Sequence, residues 1–253
     1  MTPLWLHPIL FLTGLGAGFV DSIAGGGGLI TIPVLLNLGL SPQDALGTNK
    51  LQATFGSGSA TWNYGRAGLI AYRECVTGVV YTFVGALAGT VMVQRLDPAF
   101  LKRAIPWLLL AIALYLLFQP KLGEKDIHPR LPPYPFHLGF GLLIGFYDGF
   151  FGPGTGTFWA MAYILGLGFN MTKATAHTKL MNFTSNVASL LAFLYGGQVH
   201  YLAGLTMGVG QLVGARLGAR VVIRRGTRLI RPVFITVVLA LTLKLLWDNY
   251  ARR

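Results

Sequence analysis

Two stretches of this chain carry the same pattern, a glycine-rich break followed by a polar helix, and this repetition constrains the fold more than any other feature. The first copy reads GLGAGFVDSIAGGGG at positions 14–28 and PQDALGTNKLQ at 42–52. The second copy reads GLLIGFYDGFFGPGTG at 141–156 and MTKATAHTKLMN at 171–182. Glycine-interrupted helices at corresponding places in two halves of an apolar chain are typical of membrane transporters.

Ionisable residues occupy matching positions in the two copies. Asp21 matches Asp148, and Lys50 matches Lys179. From residue 40 to about 117, the chain aligns without gaps to itself 129 positions further on, and the glycine segments align at an offset of 127. A repeat of this length predicts two tandem, pseudo-symmetric units.

The composition predicts an integral membrane protein. Of the 253 residues, 53% are hydrophobic and 11% are charged, and the mean hydropathy is +0.59. A soluble domain has about 25% charged residues. Several apolar runs approach the roughly 20 residues that cross a bilayer. Because residues 1–7 lack the basic region of a signal peptide, we expect a retained first helix and a multi-pass protein of the cell (inner) membrane.

The net charge of +12 could suggest a nucleic-acid partner, but the distribution of the charges argues against one. Arginine and lysine gather in short loops between apolar runs, as in membrane proteins. No basic stretch alternates with stacking aromatic residues. The single cysteine, Cys75, excludes an internal disulfide and a multi-cysteine metal site. We expect no nucleic acid, metal or cofactor.

The predicted fold class is all-α and polytopic, with about four transmembrane helices in each repeat. The first repeat spans residues 1–118, an extramembrane linker 119–134, and the second repeat 135–253. Five helical pieces are expected in each half. They are 5–20, 28–40, 43–64, 74–94 and 98–118, followed by 135–150, 155–168, 172–195, 200–222 and 227–249.

Basic residues also suggest a membrane orientation. Arginines cluster around Arg95 in the first half and around Arg224 in the equivalent loop of the second. If both loops are cytoplasmic, the halves run parallel and the two short pieces of each half form one broken crossing. This topology has eight crossings and both termini outside. The alternative has ten crossings and inverted halves, which separates the two basic loops.

The glycine segments are candidates for substrate binding. A helix that begins beside the break directs free N–H groups and the positive end of its dipole at a ligand. The candidate substrate-binding glycines are Gly26, Gly27, Gly28, Gly154 and Gly156. Close helix packing is the alternative role, and it suits glycines spaced four apart, such as Gly14 and Gly18, better than four in succession.

The third helix of each half is polar on more than one face, so it is expected at the centre, away from lipid. Its candidate substrate-binding residues are Asn49, Lys50, Gln52, Thr178, Lys179 and Asn182. The two lysines have alternative roles. They could extend to the membrane interface, or form structural ion pairs with the two aspartates.

Three further residues are candidates for proton coupling. A buried carboxylate at Asp21 or Asp148 could carry a proton, or it could cap the following turn or join an ion pair. His177 could relay protons or bind an anion, or it could be a hydrogen-bonded core histidine.

These motifs resemble the sulfite exporter TauE/SafE family, also called the TSUP family. The resemblance is carried by GxxxGFxDxxxGGGG at 14–28, GTNKLQATFG at 47–56 and HTKLMNFTSN at 177–186, and it covers nearly the whole chain. It implies a secondary transporter, an exporter coupled to protons, that moves sulfite or small organosulfur anions across the cytoplasmic membrane. The second copy has Pro153 and Thr155 in place of two glycines, so its site is pseudo-symmetric at best.

The sequence therefore predicts a non-enzymatic anion transporter with a mid-membrane site between its halves and alternating access around that site. A passive anion channel of the same architecture is the alternative. An intramembrane enzyme would need a nucleophile beside a base, which no motif provides. A cation transporter would use the two aspartates, and the nearby lysines oppose that role.

Overall fold

The computed structural model of the protein describes residues 6–118, 126–225 and 247. Within this part of the chain the fold is all-helical, as expected, and contains no strand. The helices are α1 (His7–Ala24), α2 (Gly28–Asn37), α3 (Pro42–Arg66), α4 (Tyr72–Gln94), α5 (Pro98–Phe118), α6 (Pro133–Phe150), α7 (Thr155–Leu167), α8 (Met171–Tyr195) and α9 (Tyr201–Arg225). The helix expected at 227–249 lies outside the described residues.

Side-chain caps begin the two long polar helices. Ser41 precedes α3, and its hydroxyl accepts a hydrogen bond from the Asp44 amide at 3.1 Å. Asn170 precedes α8 and accepts from the Lys173 amide at 3.0 Å. Each cap satisfies an amide that the first helical turn leaves unpaired. The caps therefore start α3 and α8 at corresponding points of the two sequence copies.

Helices α1 and α2 form a hairpin. Gly25 and Gly26 have φ angles of 74° and 102°, a region that side-chain-bearing residues rarely adopt. The chain reverses there, so that Leu35 near the end of α2 joins Leu10 and Ala45 in one buried cluster. The expectation that α1 and α2 continue in line as one broken crossing is wrong, because two successive positive φ angles turn the chain back instead of kinking it.

Helices α6 and α7 form a second hairpin. Gly152 and Gly154 have φ angles of 98° and 82° at its tip. At its open end, the Gly166 carbonyl accepts hydrogen bonds from the Arg130 and Leu131 amides at 2.9 and 3.0 Å, just before α6 begins. The second glycine segment therefore reverses the chain as the first does.

Helix α3 runs parallel to α9. The His200 amide donates to the Thr48 hydroxyl at 2.9 Å near the start of both helices. Further along both, the Ser59 hydroxyl donates to the Leu212 carbonyl at 3.0 Å. The parallel run places the C-terminal ends of α3 and α9 at the same end of the molecule.

Helix α8 runs antiparallel to α3, although the two helices are equivalent in the sequence repeat. A Cβ atom on Gly47 would lie 3.1 Å from the Phe193 ring, and one on Gly58 would lie 3.0 Å from the Phe183 ring. Residues further along α3 therefore contact residues nearer the start of α8. The expectation of parallel halves is wrong, and equivalent helices run in opposite directions.

The ends of α4 and α9, each of which precedes one of the two basic loops, consequently lie at opposite ends of the molecule. Gln94, just before the first loop, donates to the Ala192 carbonyl near the end of α8. Val222, just before the second, packs with Ala176 near the start of α8. The loop charges could not predict this arrangement. They indicate the cytoplasmic side only when the loops on one side carry more lysine and arginine than the loops on the other.

Small residues allow helices from different halves to approach closely. Helix α1 lies along α9, where a Cβ atom on Gly14 would overlap the Met207 carbonyl. Helix α4 lies along α6, where a Cβ atom on Gly149 would overlap the Ala86 carbonyl. Backbone contact of this kind is common where helices associate in lipid.

The distribution of polarity is that of a membrane protein. Exposed apolar residues follow one face of α4 at Val76, Val80 and Val84, whereas α3 and α8 bury their polar residues inside. Of the described helices, two are long and apolar enough to cross a membrane, Tyr72–Gln94 and Pro98–Tyr115. Lipid requires an apolar exterior and tolerates irregular polar backbone only where protein encloses it.

Substitution of Gly14 by alanine is expected to lower the melting temperature of the detergent-solubilised protein by several degrees. The added methyl group overlaps the Met207 carbonyl, and overpacking of this kind costs about 1–3 kcal/mol. Gly16→Ala is the matched control two residues along α1, because nothing lies within 4 Å of its Cβ position. Equal melting temperatures for the two variants, measured by thermal scanning, would contradict the α1–α9 contact.

Candidate functional site

The tips of the two hairpins meet inside the molecule. A Cβ atom on Gly25 would lie 2.6 Å from the Gly156 Cα atom, and one on Gly156 would lie 2.7 Å from the Gly25 Cα atom. Such distances leave no room for a side chain at either position. The two glycine-rich breaks therefore form one interior region, between α3 and α8.

A buried ion pair joins α3 to the second hairpin. The Lys50 ammonium lies 2.6 Å from Asp148 Oδ1 and 2.5 Å from the Asp148 main-chain oxygen. The Ser185 hydroxyl donates to the other carboxylate oxygen. The two paired side chains are only 1% and 5% exposed. Lys50 therefore neutralises the acid and also caps a carbonyl near the end of α6.

A second ion pair joins α8 to the first hairpin in the same way. The Lys179 ammonium lies 3.2 Å from Asp21 Oδ2 and donates to the Asp21 main-chain oxygen. Asp21 Oδ1 accepts hydrogen bonds from the Gly26 and Gly27 amides at 3.0 and 3.1 Å. Each lysine thus reaches the acid of the other half. Of the roles left open for the lysines, the structure shows the ion pair, and neither ammonium extends to the surface.

A cavity lies between the hairpin tips, α3, α8 and α9. It has about 390 Å³ of free space, including its open mouth. The lining residues are Asp21, Gly26, Gly27, Gly28, Asn49, Ala53, Asp148, Gly152, Thr155, Gly156, Asn182, Asn186 and Gln211. Apart from the two paired carboxylates, the lining offers backbone amides, a hydroxyl and four carboxamides.

Two backbone amides in this lining have no hydrogen-bond acceptor among the described residues. They belong to Gly28 and Gly156, in the first turns of α2 and α7. An unpaired amide at a helix N-terminus and the positive end of the helix dipole both favour an anion. Both helices contribute such a terminus to one cavity.

Asn49 adds a side-chain donor beside Gly28. Its Oδ1 accepts from the Thr31 hydroxyl at 2.6 Å and from the Gln52 amide at 2.7 Å. These two bonds fix the orientation of the carboxamide and leave its NH₂ group unbonded within the described residues. That group lies 3.6 Å from the Cβ position of Gly28.

Eight of the sequence candidates line the cavity, and six lie elsewhere. Lys50 and Lys179 lie behind the carboxylates that they neutralise. Gln52 orients Asn49, and the hydroxyl of Thr178 is buried without a partner among the described residues. The other two need separate comment.

Gly154 and His177 both have structural contacts. Gly154 precedes α7 and lies against Ile112 of α5. His177 lies between the Ala71 amide, at 3.3 Å, and the Lys173 carbonyl, at 2.8 Å. Neither residue lines the cavity.

The sequence analysis missed five lining residues. They are Ala53, Gly152, Thr155, Asn186 and Gln211. Asn186 lies within the HTKLMNFTSN motif, and Gln211 is the one uncharged carboxamide inside the apolar run LTMGVGQLVG at 205–214. A glutamine in such a run is the signal that would have indicated it.

An apolar exterior around a polar interior cavity is the architecture of a helical membrane transporter, and the comparisons agree. The family described as "Sulfite exporter TauE/SafE" matches residues 10–245. This chain belongs to the sulfite exporter TauE/SafE family, and the resemblance expected from the motifs is confirmed. No solved structure shows significant similarity to it.

Several relatives are similar over nearly the whole chain. The "Probable membrane transporter protein YfcA" of Escherichia coli (strain K12) is 46% identical over 252 residues, covering 100% of this chain and 93% of the relative. A "Probable membrane transporter protein" of Haemophilus influenzae is 48% identical over 248 residues, covering 96% of each chain. "YunE" of Bacillus subtilis is 25% identical over 270 residues, covering 95% of this chain and 97% of the relative. These names indicate a membrane transporter rather than an enzyme.

The ion pairs make a prediction about stability. Lys50→Met leaves the Asp148 carboxylate buried without its counter-charge, so we expect a loss of about 3–5 kcal/mol. The double variant Lys50→Met/Asp148→Asn should recover most of the melting temperature, because no buried charge remains. A double variant no more stable than the single one would contradict the assigned pairing.

Lys179→Met is the matched comparison in the other half. Its partner Asp21 is 19% exposed and accepts two backbone amides. We therefore expect a smaller loss of stability than for Lys50→Met, measured in the same thermal scan.

Proposed function

We propose that this protein is a secondary active transporter that exports small anions, such as sulfite or organosulfonates, across the cytoplasmic membrane in a proton-coupled cycle. The observation that carries the proposal is the pair of unbonded amides of Gly28 and Gly156 at two helix N-termini facing one cavity. Small oxyanions are the ligands that such amides bind. Membership of the TauE/SafE family supports this substrate class.

The charges around the cavity support recognition by hydrogen bonds. Two lysines balance two aspartates, so the four ionisable groups leave the site formally neutral. An entering anion then meets the two amides, the NH₂ group of Asn49 and the positive ends of two helix dipoles. In this proposal Lys50 and Lys179 hold the carboxylates in place and do not contact the substrate.

Asp21 is the group proposed for proton coupling. It lines the cavity and is more exposed than Asp148. Protonation of its carboxylate would weaken both the ion pair with Lys179 and the two amide hydrogen bonds that hold the first hairpin tip. A proton and an anion would thereby act on the same hairpin.

Alternating access is proposed to follow from the opposed hairpins. The α1–α2 hairpin opens toward the start of α3, and the α6–α7 hairpin opens toward the start of α8. Since α3 and α8 are antiparallel, these openings lie at opposite ends of the molecule. Movement of one hairpin at a time would expose the shared cavity to one side and then the other.

The opposed hairpins also suggest a membrane topology in which each hairpin enters from one side, reaches the interior and returns to the same side. Lys173 at the start of α8, Arg66 at the end of α3 and Arg224 at the end of α9 gather at one end, which is the cytoplasmic end by the positive-inside rule. The start of α1 would then lie outside the cell.

Cysteine labelling tests this topology. In a Cys75→Ser background, a membrane-impermeant maleimide should label Tyr195→Cys, at the exposed end of α8, in intact cells. It should label Ala67→Cys, at the end of α3, only after the membrane is permeabilised. The reverse pattern would invert the proposed orientation.

A transport assay tests the function. Proteoliposomes with an imposed pH gradient should accumulate sulfite or a small sulfonate above its equilibrium level, and collapse of the gradient should abolish the accumulation. Flux that only equilibrates the anion would favour the passive channel. Absence of any anion flux would contradict both readings.

Asn49→Asp tests the site directly. The new carboxylate can still accept from Thr31 and Gln52, but it replaces a donor to the substrate with a negative charge. A lost hydrogen bond to a charged group costs about 1.5–3 kcal/mol, so anion affinity should fall by about tenfold to a hundredfold or more. Asn63→Asp, on the same helix but outside the cavity, is the control, and calorimetric titration is the measurement.

A further inference from the structure

Gln211 is a buried carboxamide that faces the cavity without a hydrogen-bond partner among the described residues. Its side chain is on α9, and the residue is 2% exposed. Two glycines make room for it. A Cβ atom on Gly18 would lie 2.5 Å from the Gln211 main-chain oxygen, and one on Gly56 would overlap its side-chain oxygen.

The polar atoms of Gln211 border the cavity, so their hydrogen-bonding capacity is available to a ligand. A polar group inside a protein forms its hydrogen bonds with protein, water or a ligand. Core packing would have been served better by an apolar side chain of similar size. The close approach of α9 to two glycines therefore brings a polar group to the cavity.

Two more carboxamides that line the cavity have a side-chain oxygen without a hydrogen-bond donor among the described residues. Asn182 has a buried Oδ1 atom that accepts no hydrogen bond from the described residues. Asn186 donates to the Ser57 hydroxyl at 3.3 Å, and its carbonyl oxygen has no donor among the same residues. We call Asn182, Asn186 and Gln211 the carboxamide wall.

The carboxamide wall belongs to one half only. The corresponding positions of the first half, 129 residues earlier, hold Ala53, Ser57 and Thr82. The donors at Gly28 and Gly156, in contrast, come from both hairpins. The cavity thus combines amide donors from both halves with carbonyl acceptors from the second half alone.

A ligand that bonds the carbonyl oxygens of this wall must carry a hydrogen-bond donor as well as an anionic group. A fully deprotonated inorganic oxyanion only accepts hydrogen bonds, so it would leave the carbonyl oxygens of the wall unpaired. A ligand with a hydroxyl or another donor beside its anionic group would satisfy both sets of protein groups. Sites built to bond a hydroxyl reject analogues that lack it, because the protein groups then stay unpaired.

We propose that the carboxamide wall selects small anions that also carry a hydrogen-bond donor, and that Gln211 is the residue that determines this preference. The anionic group binds the amides of Gly28 and Gly156, and the donor group points toward α9. This inference rests on the proposed anion site and adds the chemical class of ligand that the site prefers.

Matched ligand pairs test the inference in the purified, full-length protein. Calorimetric titration compares ethanesulfonate with 2-hydroxyethanesulfonate, and propionate with 3-hydroxypropionate. The wild-type protein should bind the hydroxylated member of each pair about tenfold tighter, the effect of one additional hydrogen bond. In Gln211→Met the ratio of the affinity for the hydroxylated ligand to that for its unhydroxylated partner should fall to about one. The affinity for ethanesulfonate should be nearly unchanged.

Gln43→Met is the control, because Gln43 is a buried glutamine outside the cavity that bonds the Leu96 carbonyl. It should keep the wild-type ratio. If Gln211→Met does not fold, Gln211→Asn withdraws the carboxamide by one methylene and should also lower the ratio.

The outcomes separate this inference from the proposed function. Equal binding of both members of a pair by the wild-type protein would overturn the inference and leave the anion site intact. A wild-type ratio that survives in a folded Gln211 variant would do the same. Failure of every anion to bind would overturn the anion site and this inference together.

Discussion

The two crossed ion pairs are the interaction on which the rest of the interior depends. Lys50 and Lys179 lie on the central helices, and each holds an aspartate at the tip of the other half's hairpin. Without these cations, two carboxylates would stand in a region surrounded by apolar helices, where unpaired charge is very costly. With them, the carboxylates can hold glycine amides and a serine hydroxyl in place. The pairs also tie each half to the other, so the hairpin tips cannot separate from α3 and α8 without breaking an ion pair.

The second constraint is the irregular backbone that the ion pairs enclose. Gly25, Gly26, Gly152 and Gly154 adopt positive φ angles in the interior, and the helices that follow begin there with unpaired amides. In lipid such backbone would be unstable, so it must be buried by protein or line a cavity. Here it does both, because the tips touch at Gly25 and Gly156 and also border the cavity. The same unpaired groups that the fold must tolerate are those that an anion would bond.

The sequence predicted the helices well and their directions poorly. Apolar runs and glycine breaks are local signals, so the predicted helix bounds lie within a few residues of those observed. Glycine indicates that a helix ends but not the angle at which the chain leaves it, so the reversal after Asp21 was missed. Arginine-rich loops gave the wrong relation between the halves, because the helices that precede the two loops end at opposite ends of the molecule. The match of Asp21 with Asp148 and of Lys50 with Lys179 identified the central residues, yet only the three-dimensional contacts show that the pairs cross. Gln211 was missed because its role depends on two glycines that lie far from it in the sequence.

Inverted halves explain how one chain can have a symmetric scaffold and an asymmetric site. The scaffold positions, Asp21 with Lys179 and Asp148 with Lys50, are alike in both halves because each hairpin needs the same support. Under the proposed alternating access, two similar hairpins would adopt two conformations of similar energy. The proposed ligand is under no such constraint, since it would bind once in the cavity between the halves. Substitutions on the cavity-facing side of α8 and α9 change what is recognised and leave the hairpin supports untouched. In the proposed transport cycle, the asymmetric positions Asn182, Asn186 and Gln211 are therefore where ligand chemistry can vary without loss of the ion pairs that hold the hairpins.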